Sequence, residues 1–158
     1  MNLTRAEKIA IIRDYVPRLR ALVAGLSDEQ LTTAYNAPEW TIAQNVHHLV
    51  DAHTAAYLRC KLILTEAQAT LRSQDQDALA QLPDASDAHI ADSLMILEGL
   101  HARWARMFTQ VTDWDKSGYH PTAKKTNYIS LDYLLTGYAR HCEAHLQQIQ
   151  AVIDKMET

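Results

Sequence analysis

His141 and His145, in the stretch YARHCEAHLQQI from Tyr138 to Ile149, stand four residues apart where apolar residues recur at helical spacing. On a helix such a pair stacks one turn apart, about 6 Å along the axis, so two imidazoles can converge on one ion without bending the backbone. The same spacing also suits two hydrogen-bonded core histidines. The apolar arc of this segment is Leu134, Leu135, Tyr138, Cys142, Leu146, Ile149 and Val152. His145 falls inside that arc and His141 at its edge, so both face the interior.

A metal centre of the catalytic type needs a third protein ligand and an open position for water or substrate. The segment TIAQNVHHLVDAHTAAYLRCKLILTEAQ offers His47, His48 and His53. Its apolar arc, Ile42, Val46, Leu49, Ala56, Cys60 and Leu64, points His47 away from the core, places His53 well inside, and sets His48 on the flank. Helical phase therefore leans to His53. A cleft between two helices would still collect His48 with the pair and leave His53 as a buried partner. Gln44, Asn45, Asp51 and Tyr138 lie within about a turn of these positions and are candidates to orient imidazole N–H groups or substrate, beside a plain reading as packing or surface residues. His89, His101 and His120 carry no pattern and read as surface or loop residues, His120 being placed where it could overhang a cleft. No Ser-His-Asp order or Gly-rich phosphate loop offers a metal-free chemistry.

The elements that must position these residues are helices. Most of the glycines and prolines, Gly25, Pro38, Pro83, Gly118 and Pro121, fall between long periodic segments. Thr4 and Glu7 form a capping box that opens a first helix, whose Ile9, Ile12, Val16, Leu19 and Val23 share a face until Gly25, with a kink expected at Pro17. After a Ser27–Gln30 turn, Thr41 and Gln44 form a second capping box and open the second helix. A polar link containing Pro83 leads to a third helix, DSLMILEGLHARWARMFTQV, with Leu94, Leu97, Leu100, Trp104 and Phe108 on one stripe. The fourth runs from Ser130 as cap to about Met156. Between the last two, Tyr119 and Tyr128–Ile129 flank a polar turn that reads as a small hairpin. The predicted fold is an all-α four-helix bundle in one domain covering 1–158.

Composition narrows the function. A chain of 158 residues with 47% hydrophobic content can build a core without staples. A net charge of −4 and 15 scattered Lys and Arg supply no basic stripe, so nucleic acid is not an expected partner. No apolar run reaches the roughly 20 residues that span a bilayer, and the amphipathic N-terminus resembles no cleavable signal, which leads to an expected cytoplasmic location. Cys60 and Cys142 read as free, partly buried thiols. Val50, Tyr57 and Leu58 lie outside the main arc of the second helix and suggest a surface covered by a second copy.

Taken together and in order, the helix-two segment, LHARWARMF, GYHP and YARHCEAHLQQI resemble the DinB-like superfamily, and within it the YfiT-like branch assigned as metal-dependent hydrolases, from about Leu26 to Ile149. The resemblance implies a four-helix bundle in which one histidine of the second helix and an H-x-x-x-H pair of the last hold a divalent ion, nickel or zinc. Carried over by position, these are His48, His141 and His145, so it is the resemblance and not the helical phase that selects His48. It also implies a homodimer in the bacterial cytosol, and an activity in which the ion activates water or a low-molecular-weight thiol, such as bacillithiol or mycothiol, to attack an electrophilic small molecule. The alternative is a non-catalytic bundle that binds a metal or small ligand.

Overall fold

The computed structural model describes residues 3–121 and 127–156. Its elements are α1 (Arg5–Val23), α2 (Asp28–Thr32), α3 (Ile42–Thr65), α4 (Gln76–Leu79), a single 3-10 turn (Pro83–Ala85), α5 (Ile90–Thr109), β1 (Ser117–Tyr119), β2 (Tyr128–Ser130) and α6 (Leu131–Met156). The four long helices are the predicted ones. Three of the four starts follow from a local signal: reciprocal capping boxes at Thr4/Glu7 and Thr41/Gln44 open α1 and α3, and the Ser130 hydroxyl accepts from the Tyr133 amide at the start of α6, whereas α5 begins after His89 with no side-chain cap. The expected turn at Ser27–Gln30 is instead a third capping box that opens the five-residue α2. α1 continues through Pro17 to Val23, and Gly25 then takes φ 79°, a left-handed conformation suited to glycine.

Side-chain pairs give the directions of the helices. Arg5 with Asp132, Lys8 with Thr136 and Arg18 with Glu143 run α1 parallel to α6. His47 with Ser93 and His53 with His101 run α3 parallel to α5. The Ile12 carbonyl with His101, then Arg20 with Glu98, sets α1 antiparallel to α5, and Asn45 with His145, then Arg59 with Tyr138, sets α3 antiparallel to α6. α1 packs on α5 and α6, and α3 packs on the same two, so α1 and α3 stand diagonally across the bundle.

One consequence concerns the link between two parallel neighbours, which must travel back the whole length of α3. Residues 66–89 do so. Arg59 donates to the Arg72 carbonyl, Gln44 donates to the Ala80 carbonyl, and a His47 ring nitrogen lies 3.1 Å from the Asp87 carbonyl. The link therefore covers the outer face of α3, and His47, which points away from the core as expected, is buried beneath it.

The small hairpin is present as β1 paired antiparallel to β2, with Gly118 opposite Ile129. Its expected polar tip, residues 122–126, lies outside the described residues. β1 is also stapled to the start of the long link, because the Leu71 amide donates to the Tyr119 carbonyl and the Tyr119 amide to the Ala69 carbonyl, both at 2.7 Å. Gly118 permits this approach, since a β-carbon there would sit 3.0 Å from Leu71 Cγ and 3.1 Å from the Ala69 carbonyl oxygen.

The core is continuous through the bundle, with Ile12, Tyr15, Leu19, Leu49, Leu97, Trp104, Phe108, Leu135 and Ile149 all but fully buried. No helix among the described residues is long and apolar enough to cross a membrane. The Thr41 cap orders the turn that carries Asn45 and His48, so Thr41→Ala should lower stability by about 1 kcal/mol. Chemical denaturation monitored by circular dichroism would read this as a lower midpoint at unchanged slope.

Candidate metal centre

Because α3 and α6 are antiparallel neighbours, the first turns of α3 meet the middle turns of α6. There His48, His141 and His145 come together, with one ring nitrogen of each within 4.8 Å of the others. The ring centroids of His48 lie 5.1 Å from His145 and 5.6 Å from His141, and Nε2 of His141 and Nε2 of His145 are 3.2 Å apart. The three rings line a cleft of about 740 Å³, walled also by Asn36, Glu39 and Trp40 of the loop before α3 and by Gln76 and Asp77 of the long link.

The orientation of His145 is fixed from behind. Asn45 Nδ2 donates to the Thr41 carbonyl at 3.0 Å, so its Oδ1 turns to His145 and accepts from Nδ1 at 2.8 Å. His145 Nε2 therefore carries a lone pair and points at the cleft, the form a metal ligand requires. Trp40 packs on the His48 ring at 4.7 Å between centroids.

Burial keeps these rings neutral. Loss of hydration lowers the pKa of His48, takes His141 down to about 4 with help from His48, and takes His145 down to about 3 with help from His141 and His48. Desolvation also holds His53 well below its ordinary value and lowers His101. Neutral imidazoles are the species that bind divalent ions, so no proton need be displaced near neutral pH.

The other sequence candidates go elsewhere. His53 is fully buried in the core, 2.8 Å from His101 and 2.9 Å from His141 Nδ1. His101, expected at the surface, is buried against Tyr15 at 5.3 Å and reaches the Ile12 carbonyl at 2.7 Å. It stands four residues after Leu97 and three before Trp104, and that periodicity was the available signal. His120 is also buried, beside Ser73, and does not line the cleft, whereas His89 is exposed. Of the four residues considered as orienting groups, only Asn45 meets a ligand candidate through a hydrogen bond. Gln44 serves the helix cap and the link, Asp51 lines a separate groove on the other side of α3, and the Tyr138 hydroxyl accepts from Arg59 while its ring packs on His141.

A second group, His53, His101 and Cys142, also brings ligand-type atoms within 4.8 Å. Its imidazoles already share a hydrogen bond, and burial pushes the Cys142 thiol far above the range in which a thiolate forms. Burial likewise takes Cys60 up to about 12, so both thiols are core residues.

The depressed histidine values predict the acid response of the metal-free protein. Below about 6.5 the unfolded chain takes up protons that folded His141 and His145 refuse until about 4 and about 3. Stability should be intact above 6.5 and fall progressively as pH drops through this window, which urea midpoints at pH 7.5, 6 and 5 would record.

Comparison with known proteins gives this geometry a family. A protein from Geobacillus thermodenitrificans named "Putative metal-dependent hydrolase" is 40% identical over 146 residues, covering 92% of this chain and 82% of that one. The Bacillus subtilis protein of the same name with the suffix YfiT is 34% identical over 150 residues, covering 94% and 83%. A solved structure of YfiT from Bacillus subtilis, described as a probable metal-dependent hydrolase with an unusual four-helix bundle topology, superposes with a TM-score of 0.91 at 32% identity, covering 99% of this chain and 91% of that one. The family model described as the DinB superfamily matches residues 16–149. A four-helix bundle matched along nearly its whole length by YfiT-type relatives, the chain belongs to the DinB superfamily.

Proposed function

We propose that the chain is a metal-dependent hydrolase acting on a small molecule held in the cleft between α3 and α6. The observation that carries this reading is the pairing of His145 Nε2, its lone pair freed by Asn45, with His141 Nε2 at 3.2 Å and His48 alongside. Three neutral imidazoles suit a borderline divalent ion such as zinc or nickel. When bound, the ion supplies Lewis acidity that makes a water or thiol nucleophile available near neutral pH.

The chain's own residues do the remaining work. His48, His141 and His145 hold the ion, and Asn45 keeps the His145 ring in place. Trp40 restricts His48 and screens its face from solvent. Glu39 and Asp77 bring carboxylates to the cleft wall, as acceptors for a proton released there or as partners for a positive group on the substrate. The names carried by the relatives support hydrolysis.

Purified protein should bind one zinc or nickel ion per chain. His48→Ala, His141→Ala and His145→Ala should each weaken that binding by more than the roughly 10–100-fold typical of losing an outer partner, with helical content retained. A panel of esters and amides in thiol-free buffer should show hydrolysis that a chelator abolishes. Metal-dependent conjugation of a small thiol to an alkylating agent, without hydrolysis, would replace this reading with thiol transfer, and neither activity at full metal occupancy would leave a binding module.

A homodimer in the cytosol completes the reading. The buried free cysteines suit a reducing compartment. Leu58 and Ile96, 55% and 52% exposed, border an apolar groove of about 650 Å³ with Val50, Leu62 and Leu79, and a second copy would cover it. Sedimentation should find a dimer at micromolar concentration, and a monomer at high micromolar concentration would remove the idea.

A further inference from the structure

A chain of imidazole nitrogens runs from the cleft to the opposite side of the core. In order its members are Asn45 Oδ1, His145, His141, His53, His101 and the Ile12 carbonyl, linked at 2.8, 3.2, 2.9, 2.8 and 2.7 Å. Both ends can only accept, since one is an amide oxygen and the other a peptide carbonyl. The four rings between them carry one N–H each when neutral. Five links must thus be served by four protons.

The position of the missing proton follows from the ends together with the length and burial of the links between them. The Ile12 carbonyl requires N–H at His101 Nδ1, which leaves His101 Nε2 as acceptor. At the other end Asn45 requires N–H at His145 Nδ1. Two protons are then left for three inner links, and the two links at His53 are short, 2.8 and 2.9 Å, and sealed in the core, where facing lone pairs would have no compensation. Both are therefore served, with His53 donating from Nδ1 and accepting at Nε2 and His141 donating from Nδ1. The unserved link is therefore His141 Nε2 to His145 Nε2, the longest of the five and the one that faces the cleft. Two lone pairs meeting at 3.2 Å repel each other unless a cation lies between or beside them.

We propose that the main-chain carbonyl of Ile12, acting through His101 and His53, fixes His141 as its Nδ1–H tautomer and so aims the Nε2 lone pair into the metal centre. His53, on α3, and His101, on α5, are then positioning residues for cation binding, and the chain they form ends on α1, which takes no part in the cleft. This inference rests on the metal reading above for its functional consequence, but the tautomer chain is a property of the metal-free protein. It also accounts for two imidazoles in a core position that leucine would fill at lower cost.

The decisive measurement is a long-range proton–nitrogen correlation spectrum of ¹⁵N-labelled, metal-free wild-type protein at pH 7.5. His101, His53, His141 and His145 should all be Nδ1–H tautomers, and Nε2–H at His141 would overturn the proposal. His101→Leu removes the acceptor for His53, so His141 should become a mixture of tautomers and zinc affinity should fall about 10–100-fold. His101→Gln, with a carbonyl in place of the ring nitrogen, should restore the single tautomer and most of the affinity. Unchanged zinc affinity in His101→Leu, or a loss of affinity with the His141 tautomer unaltered, would each overturn the positioning role. Should His101→Leu fail to fold, the wild-type spectrum decides the matter by itself. Absence of zinc binding by wild-type protein would overturn the metal reading and the positioning role with it, while the metal-free spectrum judges the hydrogen-bond chain separately.

Discussion

An imidazole is tolerated in a helical core only where its nitrogens find partners, and here that requirement reaches every long helix. Asn45 and His53 come from α3, His141 and His145 from α6, His101 from α5 and the Ile12 carbonyl from α1. Hydrogen bonds between rings tolerate little sliding, because distance and direction are both set by the lone pairs. The apolar residues around them, Tyr15, Leu49, Leu97 and Trp104 among others, supply the burial that drives collapse. They would accept several helix registers, whereas the imidazole chain accepts one, so packing provides stability and the polar thread provides uniqueness.

The directions of the helices follow from the same need. A simple up-down bundle would join neighbours by short loops and leave the outer face of α3 in solvent. Parallel α3 and α5 instead require the return link of residues 66–89, and antiparallel α3 and α6 bring Asn45 opposite His145. The diagonal step from α1 to α3 carries residues 33–41 to the mouth of the cleft, where Asn36, Glu39 and Trp40 become its wall. The site thus sits where a diagonal crossing and a returning link meet, at the rim of the bundle rather than on its axis.

That location explains what the sequence could and could not convey. Helix existence, three of the starts and the hairpin were legible because caps, glycines and periodicity are local signals. Helical phase measures direction relative to the bundle axis, so it favoured His53 and set His48 on the flank, and His53 does lie in the core while His48 stands at the cleft with His141 and His145. Resemblance, which carries three-dimensional information that phase lacks, was needed to name His48. His47 does point away from the core, but its burial was not legible because its cover comes from a link distant in sequence. His101 occupied a regular core position but was read as a surface residue because it belongs to no histidine pattern, although its apolar neighbours Leu97 and Trp104 marked the stripe. Among Gln44, Asn45, Asp51 and Tyr138, only the antiparallel pairing of α3 with α6 distinguishes Asn45, and nothing local encodes that pairing.

The cleft has two walls of different origin. Its back is the histidine thread, in which each member depends on the next and few substitutions are compatible with the hydrogen-bond pattern. Its front, at Asn36, Glu39, Gln76 and Asp77, belongs to connecting segments outside that hydrogen-bond pattern, Trp40 alone being tied to the back by its packing on His48. Substitution therefore disturbs less at the front than at the back. Under the proposed function, a lineage built on this scaffold would exchange one small molecule for another by drifting in two loops, inheriting its reactive centre unaltered while its diet changes.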